Sequence, residues 1–349
     1  MHKGVLHALL AAATFGASTP VSKLLLGSMP PLTLAAVLYL GSGLGLSAWL
    51  AVRGIRNRGW EQGAGLVRAD LPWLMGAVLF GGIAGPVLLM TGLMHTPASS
   101  ASLLLNMEGV LTAMLAWFVF KENFDRRIFA GMLLIVAGGV VLSWPGEATQ
   151  STAWGAVAIA AACLCWAIDN NLTRKVSASD AVQIAAVKGL VAGGVNLALA
   201  LATGQAMPSI WAGLAAGLVG LCGYGLSLVM FVLALRHLGT ARTGAYFSAA
   251  PFVGAGLSLL LLRETPGAAF WIAGGLMAAG IWLHLTEHHE HEHTHDALEH
   301  AHEHVHDEHH QHEHDSDWDG REPHAHPHRH VPMTHAHPHT PDIHHRHSH

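Results

Sequence analysis

Charge is what this 349-residue chain has least of. Asp, Glu, Lys and Arg make up only 12% of it, about half the ~25% of a soluble globular domain, so a fold immersed in water on all sides is excluded. Cysteine is almost as scarce. Cys163, Cys165 and Cys222 lie in apolar stretches and form no CxxC pair, which removes a disulfide framework and leaves three small packing residues. No nucleophile, base and orienting group stand in an arrangement that points to catalysis, so the chain is not expected to be an enzyme or to require a cofactor. No nucleic-acid partner is expected.

Hydrophobic length is what the chain has. Hydrophobic residues make up 51% of it. A bilayer core about 30 Å thick needs roughly 20 apolar residues in a helix. Ten segments qualify: 5–26, 32–52, 71–93, 98–120, 127–145, 153–173, 181–203, 209–235, 241–262 and 267–285. The expected fold class is all-α integral membrane with ten transmembrane helices. Pro30-Pro31, Pro97, Pro145, Pro208 and Pro266 stand at segment ends, where a missing N–H costs little. The start, Met1-His2-Lys3, is like that of a signal sequence. Val5–Leu26 is nevertheless long enough to span and more spans follow, so it is read as a retained first helix.

Lys and Arg set the orientation. With the N-terminus in the cytoplasm, the inner loops hold Arg53, Arg56, Arg58, Arg68, Lys121, Arg126, Arg127, Arg174, Lys175, Arg236 and Arg242, whereas the outer loops hold Lys23 and Arg263. Positively charged loops stay inside. Ten crossings then return the C-terminus to the cytoplasm, and the plasma (inner) membrane is the expected location.

The two halves repeat. Phe15-Gly-Ala-Ser18-Thr-Pro20-Val-Ser-Lys23 matches Trp166-Ala-Ile-Asp169-Asn-Asn171-Leu-Thr-Arg174 at a spacing of 151. A second block matches at a spacing of 142, aligning Leu93-Met-His95 with Leu235-Arg-His237, Gly109 with Pro251, and Lys121-Glu122 with Arg263-Glu264. Five spans per half is an odd number, so the second half must cross the membrane upside down relative to the first. Inverted repeats are a signature of secondary transporters. The domains expected are 4–145, 153–285 and a tail, 286–349.

The block from Gly92-Leu-Met-His-Thr-Pro through Trp117-Phe-Val-Phe-Lys-Glu122 resembles the fourth helix of an EamA domain, of the drug/metabolite transporter superfamily. The block from Thr240 through Arg263-Glu264, with Pro251, resembles the same element in a second copy. The resemblance spans about residues 4–285 and implies a ten-helix carrier that works by alternating access and exports or exchanges small organic solutes. The family has proline where Gly109 stands, so a softer kink is expected there than at Pro251.

Ionisable groups inside a membrane cost from about 2.5 kcal/mol upward and are functional candidates by default. Glu108 sits halfway along 98–120 with Asn106 beside it. It is read either as a protonatable or cation-binding group on the substrate path, or as a buried carboxyl bonded to a neighbouring helix. Asp169, with Asn170 and Asn171, lies about 6 Å in depth from the cytoplasmic interface and Lys188 about 10 Å, at ~1.5 Å per residue. They can pair, either as an ion pair that opens during the access switch or as a static one. Tyr224, Tyr246 and Trp117 are candidates to line a cavity or simply to pack. Equivalent His95 and His237 stand at helix ends.

The tail holds 24 of the 29 histidines and 14 acids against three Arg. Runs such as His300-Ala-His302-Glu-His304-Val-His306 and His324-Ala-His326-Pro-His328-Arg-His330 offer imidazoles to Zn²⁺, Ni²⁺, Co²⁺ or Cu²⁺, with no spacing that selects one metal. Few apolar residues are available for a core, so disorder is expected there. Three functions are open: an organic-solute exporter or exchanger, with proton coupling at Glu108; a divalent-metal exporter or metal-regulated carrier fed by the tail; and a membrane sensor. No histidine lies mid-span, which weighs against metal cargo. The partners expected are the lipid bilayer, a small-molecule substrate, transition-metal ions at the tail and, as an oligomeric option, a second copy in a homodimer.

Overall fold

The computed structural model describes residues 3–56, 65–120, 126–143, 150–177 and 179–285, and in the C-terminal region 290–295, 299–304, 324–329 and 333–338. The chain forms two units, Met1–Glu287 and His288–His349. Apart from short connecting turns, the described residues of the first unit are helical. In chain order its helices are α1 (Lys3–Leu25), α2 (Pro31–Arg56), α3 (Leu71–Ala77), α4 (Gly85–His95), α5 (Ala98–Leu104), α6 (Met107–Phe120), α7 (Arg126–Ser143), α8 (Gln150–Val176), α9 (Ala181–Ala202), α10 (Ile210–Gly220), α11 (Ser227–Phe247), α12 (Ala250–Leu261) and α13 (Ala268–Leu285). Six stretches, 3–25, 31–53, 68–95, 153–176, 181–202 and 210–238, are long and apolar enough to cross a bilayer, and 129–143, 250–261 and 268–283 are shorter apolar helices. One expected boundary is absent: α11 continues through 235–241 to Phe247. Pro97 ends α4 by forcing Thr96 into an extended conformation, φ −129°, ψ 140°, as the residue before proline prefers. Its counterpart 142 residues on is Gly239, which keeps its N–H and lies within α11.

The repeat is visible in irregularities as well as in helices. A π-helical segment, Val78–Ala84, joins α3 to α4, and a second, Leu221–Leu226, joins α10 to α11, again about 142 residues apart. The turn at Leu105–Asn106 between α5 and α6 corresponds to the turn at Ser248–Ala249 between α11 and α12. The break at the first site is therefore present without proline at Gly109. Asn106 supplies it: its side-chain amide donates to the Leu103 carbonyl at 3.0 Å, a local bond that competes with the helix.

Packing shows that the halves are inverted. Helices α2 and α9 start 150 residues apart and lie side by side. A Cβ on Gly43 would run into the Leu190 nitrogen, and one on Gly193 would stand 2.6 Å from the Leu40 nitrogen. Leu40 and Leu190, and Gly43 and Gly193, are repeat equivalents, so the contact is its own mirror under a two-fold axis. Residue numbers rise on one helix as they fall on the other, from Thr33 near Gln205 to Arg53 on Asp180, so the pair is antiparallel. The same holds 142 residues apart for α7 and α13: a Cβ on Gly138 would meet the Ala273 carbonyl at 2.9 Å, and one on Gly280 would meet the Gly131 carbonyl at 2.5 Å. Small residues at such crossings let backbones approach where apolar burial gives no net drive.

Each end of the bundle has a polar seam. At one, Arg53 pairs with Asp180 at 2.7 Å, Asp180 caps α9 by accepting from the Val182 and Gln183 N–H groups at 2.9 Å, and Ser179 donates to Asp70 at 3.0 Å. At the other, Lys23 donates to the carbonyls of Leu93 and Thr96. There Glu264 accepts from the N–H groups of Ala98 and Ser99 at 2.8 and 3.0 Å. Exposed tryptophans mark both ends, Trp49, Trp73 and Trp282 at the first and Trp154, Trp211 and Trp271 at the second, as aromatic belts do at membrane interfaces. The chain is a multi-pass membrane protein.

In the second unit, where composition predicts no packed core, the described residues form two antiparallel ladders. β1 (Glu290–His295) pairs with β4 (Met333–Pro338) and β2 (Glu299–His304) with β3 (His324–Arg329). These are backbone pairings of sequences in which histidine recurs at every second position, and an isolated two-stranded ladder is marginal in water.

Candidate functional site

Between the halves lies a cavity of about 80 Å³. The π-helical segment Val78–Ala84 does not itself line the cavity, but it contacts three residues around it. The Gly85 N–H bonds the Phe80 carbonyl, five residues back, which releases the Gly81 carbonyl. Pro86 has no N–H, which releases that of Gly82. Both are claimed by other helices. Tyr39 Oη and Trp166 Nε1 donate to Gly81 O at 2.6 and 3.0 Å, and Asn196 Nδ2 donates to Gly82 O at 3.0 Å. Irregular backbone at membrane depth is tolerated where protein groups satisfy it in this way.

Asp169 on α8 lies against this segment. Lys188 on α9 donates to both of its carboxylate oxygens, at 2.6 and 2.7 Å, and the Thr173 hydroxyl donates to Oδ1 at 2.8 Å. Both members are buried, Lys188 to 2% exposure and Asp169 to 7%. A Cβ on Gly81 would overlap Asp169 Oδ2, so glycine is required for the carboxylate to sit there. The equivalent contact in the other half is Gly223 against Ser18, where a Cβ would lie 2.5 Å from the serine Cβ. The scaffold is thus two-fold and the chemistry is not: Ser18 stands for Asp169, Leu38 for Lys188 and Ala250 for Glu108.

Glu108, at the start of α6, also lines the cavity, and Asn170 Nδ2 donates to its Oε1 at 2.7 Å. The remaining wall is aromatic. Phe15 stands 5.8 Å from Trp166, 5.9 Å from Tyr224 and 5.6 Å from Phe247 between ring centroids; Tyr39 lies 5.3 Å from Tyr224 and Phe231 4.9 Å from Phe247. All six line the cavity, together with Ser42 and Ser227.

Of the residues singled out from the sequence, Glu108, Asp169, Asn170, Lys188 and Tyr224 come together here. Three do not. Asn106 turns to the Leu103 carbonyl and to Met277 Sδ, at 3.6 Å, on α13. Asn171 bonds back to the Ala167 carbonyl at 2.9 Å on its own helix, because it is one residue round from Asn170. Tyr246 does not line the cavity; its neighbour Phe247 does. The side chain of Trp117 lies outside the described residues, as do those of His300, His302, His304, His306, His324, His326, His328 and His330. Among the described residues no three His, Cys, Asp or Glu side chains are placed to hold a metal ion. Sequence reasoning missed Phe15, Tyr39, Trp166, Phe231 and Phe247. A signal was present for two of them: Phe15 and Trp166 open the two matched blocks.

Comparison with known proteins returns the same architecture. The EamA-like transporter family matches twice, at residues 2–144 and 153–286. An "Uncharacterized transporter" of Methanothermobacter thermautotrophicus is 29% identical over 294 residues, 80% of this chain and 85% of that protein. The "Uncharacterized inner membrane transporter YedA" of Escherichia coli K12 is 26% identical over 264 residues, 73% and 81% of the two chains. The "Probable 4-amino-4-deoxy-L-arabinose-phosphoundecaprenol flippase subunit ArnE" of Pseudomonas paraeruginosa PA7 is 38% identical over 116 residues, 32% of this chain and 93% of its own. A solved crystal structure with the same fold aligns at a TM-score of 0.59 and 20% identity, covering 80% of this chain and 94% of its own.

Proposed function

Because the chain belongs to the EamA-like transporter family, we propose that it is a secondary transporter of small organic solutes with ten transmembrane helices in the inner membrane, both termini in the cytoplasm. The observation that carries this reading is the cavity on the axis between two inverted halves, walled by broken helices and lined by Glu108, Asp169 and Lys188. In alternating access the halves rock about such a site while the two polar seams open in turn. Arg53–Asp180 belongs to one seam and Lys23 with Glu264 to the other. Glu108 is the proposed coupling group, since it reaches the cavity and has a neutral amide as its partner. The Asp169–Lys188 pair is proposed to hold the π-helical segment against α8 and to loosen as the access switches.

The test is uptake into proteoliposomes of purified full-length protein, with a panel of amino acids, organic amines and other metabolites, with and without a pH gradient. Saturable, protein-dependent uptake of an organic solute is expected, with Glu108→Gln losing the response to the gradient. Uptake of no organic solute, or a gradient response unchanged in Glu108→Gln, overturns the respective part.

A further inference from the structure

We infer that the cavity is built for an organic cation with an apolar body, in preference to a zwitterion or an anion. This deepens the transporter reading and rests on it for the meaning of the site. The first support is the charge balance. Among the described residues the lining holds two carboxylates, Glu108 and Asp169, and one cation, Lys188. Lys188 gives hydrogen bonds to both oxygens of Asp169 and lies within 3.4 Å of the Thr173 hydroxyl, so these two charges cancel. Glu108 is left with the Asn170 amide as its partner. With Glu108 ionised, the cavity therefore carries one negative charge that a bound cation would balance.

The second support is the wall. Phe15, Tyr39, Trp166, Tyr224, Phe231 and Phe247 make a continuous chain of rings with neighbouring centroids 4.9 to 5.9 Å apart. Aromatic faces attract an ammonium through their quadrupoles, most strongly where water is excluded, and they bury the hydrocarbon that accompanies it. An anion, or the carboxylate of an amino acid, meets the reverse situation. The lining cation Lys188 is already held by both carboxylate oxygens of Asp169.

Three probes with one body separate the cases: 2-phenylethylammonium, phenylalanine and 3-phenylpropanoate, titrated calorimetrically onto the full-length protein in lipid nanodiscs. The expected result is binding of 2-phenylethylammonium at least about tenfold tighter than of the other two. Glu108→Gln should weaken it at least about tenfold, and Phe247→Leu should weaken it less. Binding of phenylalanine or 3-phenylpropanoate as tight as that of the ammonium, or no binding of the ammonium at millimolar concentration, overturns the inference using wild-type protein alone. Ammonium binding indifferent to Glu108→Gln overturns it as well, provided the variant keeps the wild-type unfolding temperature. A proteoliposome flux assay on the same preparation keeps the two readings apart. Amino-acid flux without ammonium binding sinks the substrate class and leaves the carrier. Glu108-dependent ammonium binding without any flux sinks the carrier and leaves the site.

Discussion

Removing the Lys188 ammonium is the perturbation with the largest consequence for folding. Lys188→Met keeps most of the unbranched side chain and deletes its charge, leaving Asp169 with Thr173. At 2.6 Å the gross attraction between unit charges is roughly 6 kcal/mol at an effective dielectric of about 20, and desolvation of both groups offsets much of it. Breaking one side of a buried pair costs about 3–5 kcal/mol because a charge is left uncompensated, whereas replacing both partners with neutral groups of similar volume is close to neutral. Lys188→Met and Asp169→Asn are each expected to destabilise by about 3–5 kcal/mol, and the double variant by less than either. Thermal unfolding of the four proteins in one detergent–lipid mixture reads the cycle. Single variants within about 1 kcal/mol of wild type, with additive effects, would refute the claim that the pair is buried and mutually required. Transport by the folded double variant then separates a static brace, which leaves the rate unchanged, from a pair that loosens in the cycle.

Other substitutions probe the scaffold. Gly81→Ala places a Cβ where Asp169 Oδ2 sits and should destabilise by about 1–3 kcal/mol or more through overpacking, read by the same unfolding assay. Gly109→Ala meets no atom within 4 Å in an ordinary helical position, so a gain of about 0.5–1 kcal/mol is expected. Gly204 has φ +68° at the end of α9, and Gly204→Ala should cost about 1–2 kcal/mol for placing a side chain in the left-handed region. Deletion of 286–349 should leave helix content and organic-solute uptake at the wild-type level, measured by circular dichroism and proteoliposome flux. Loss of all uptake would make the tail part of the carrier.

The architecture was legible in the sequence because membrane helices announce themselves by length and because the two matched blocks preserve their spacing. The offset of 142 that aligns His95 with His237 also aligns the two π-helical segments and the Gly131–Gly280 and Gly138–Ala273 crossings, none of which has a hydropathy signature. The pairing of Asp169 with Lys188 was legible from depth alone, since both are charges a similar distance from one interface. The direction of a side chain round its helix was not. Asn106, Asn171 and Tyr246 each lie close in sequence to a residue that takes the position expected of them, because one step is about 100° of helical rotation. The aromatic wall was hidden for a different reason. Tyr39 and Phe231 sit in runs of apolar residues, where an aromatic facing a cavity and one facing lipid are written the same way.

The central claim is that both ends of the bundle give access in turn to one cavity between inverted halves. Ser42 lines that cavity, so a protein carrying Ser42→Cys, with its three natural cysteines replaced and reconstituted in vesicles, tests it directly. The account predicts that a membrane-impermeant thiol reagent applied from either face labels the thiol introduced at position 42, and that transported substrate slows the labelling. Labelling from one face only, whatever the substrate, would contradict it.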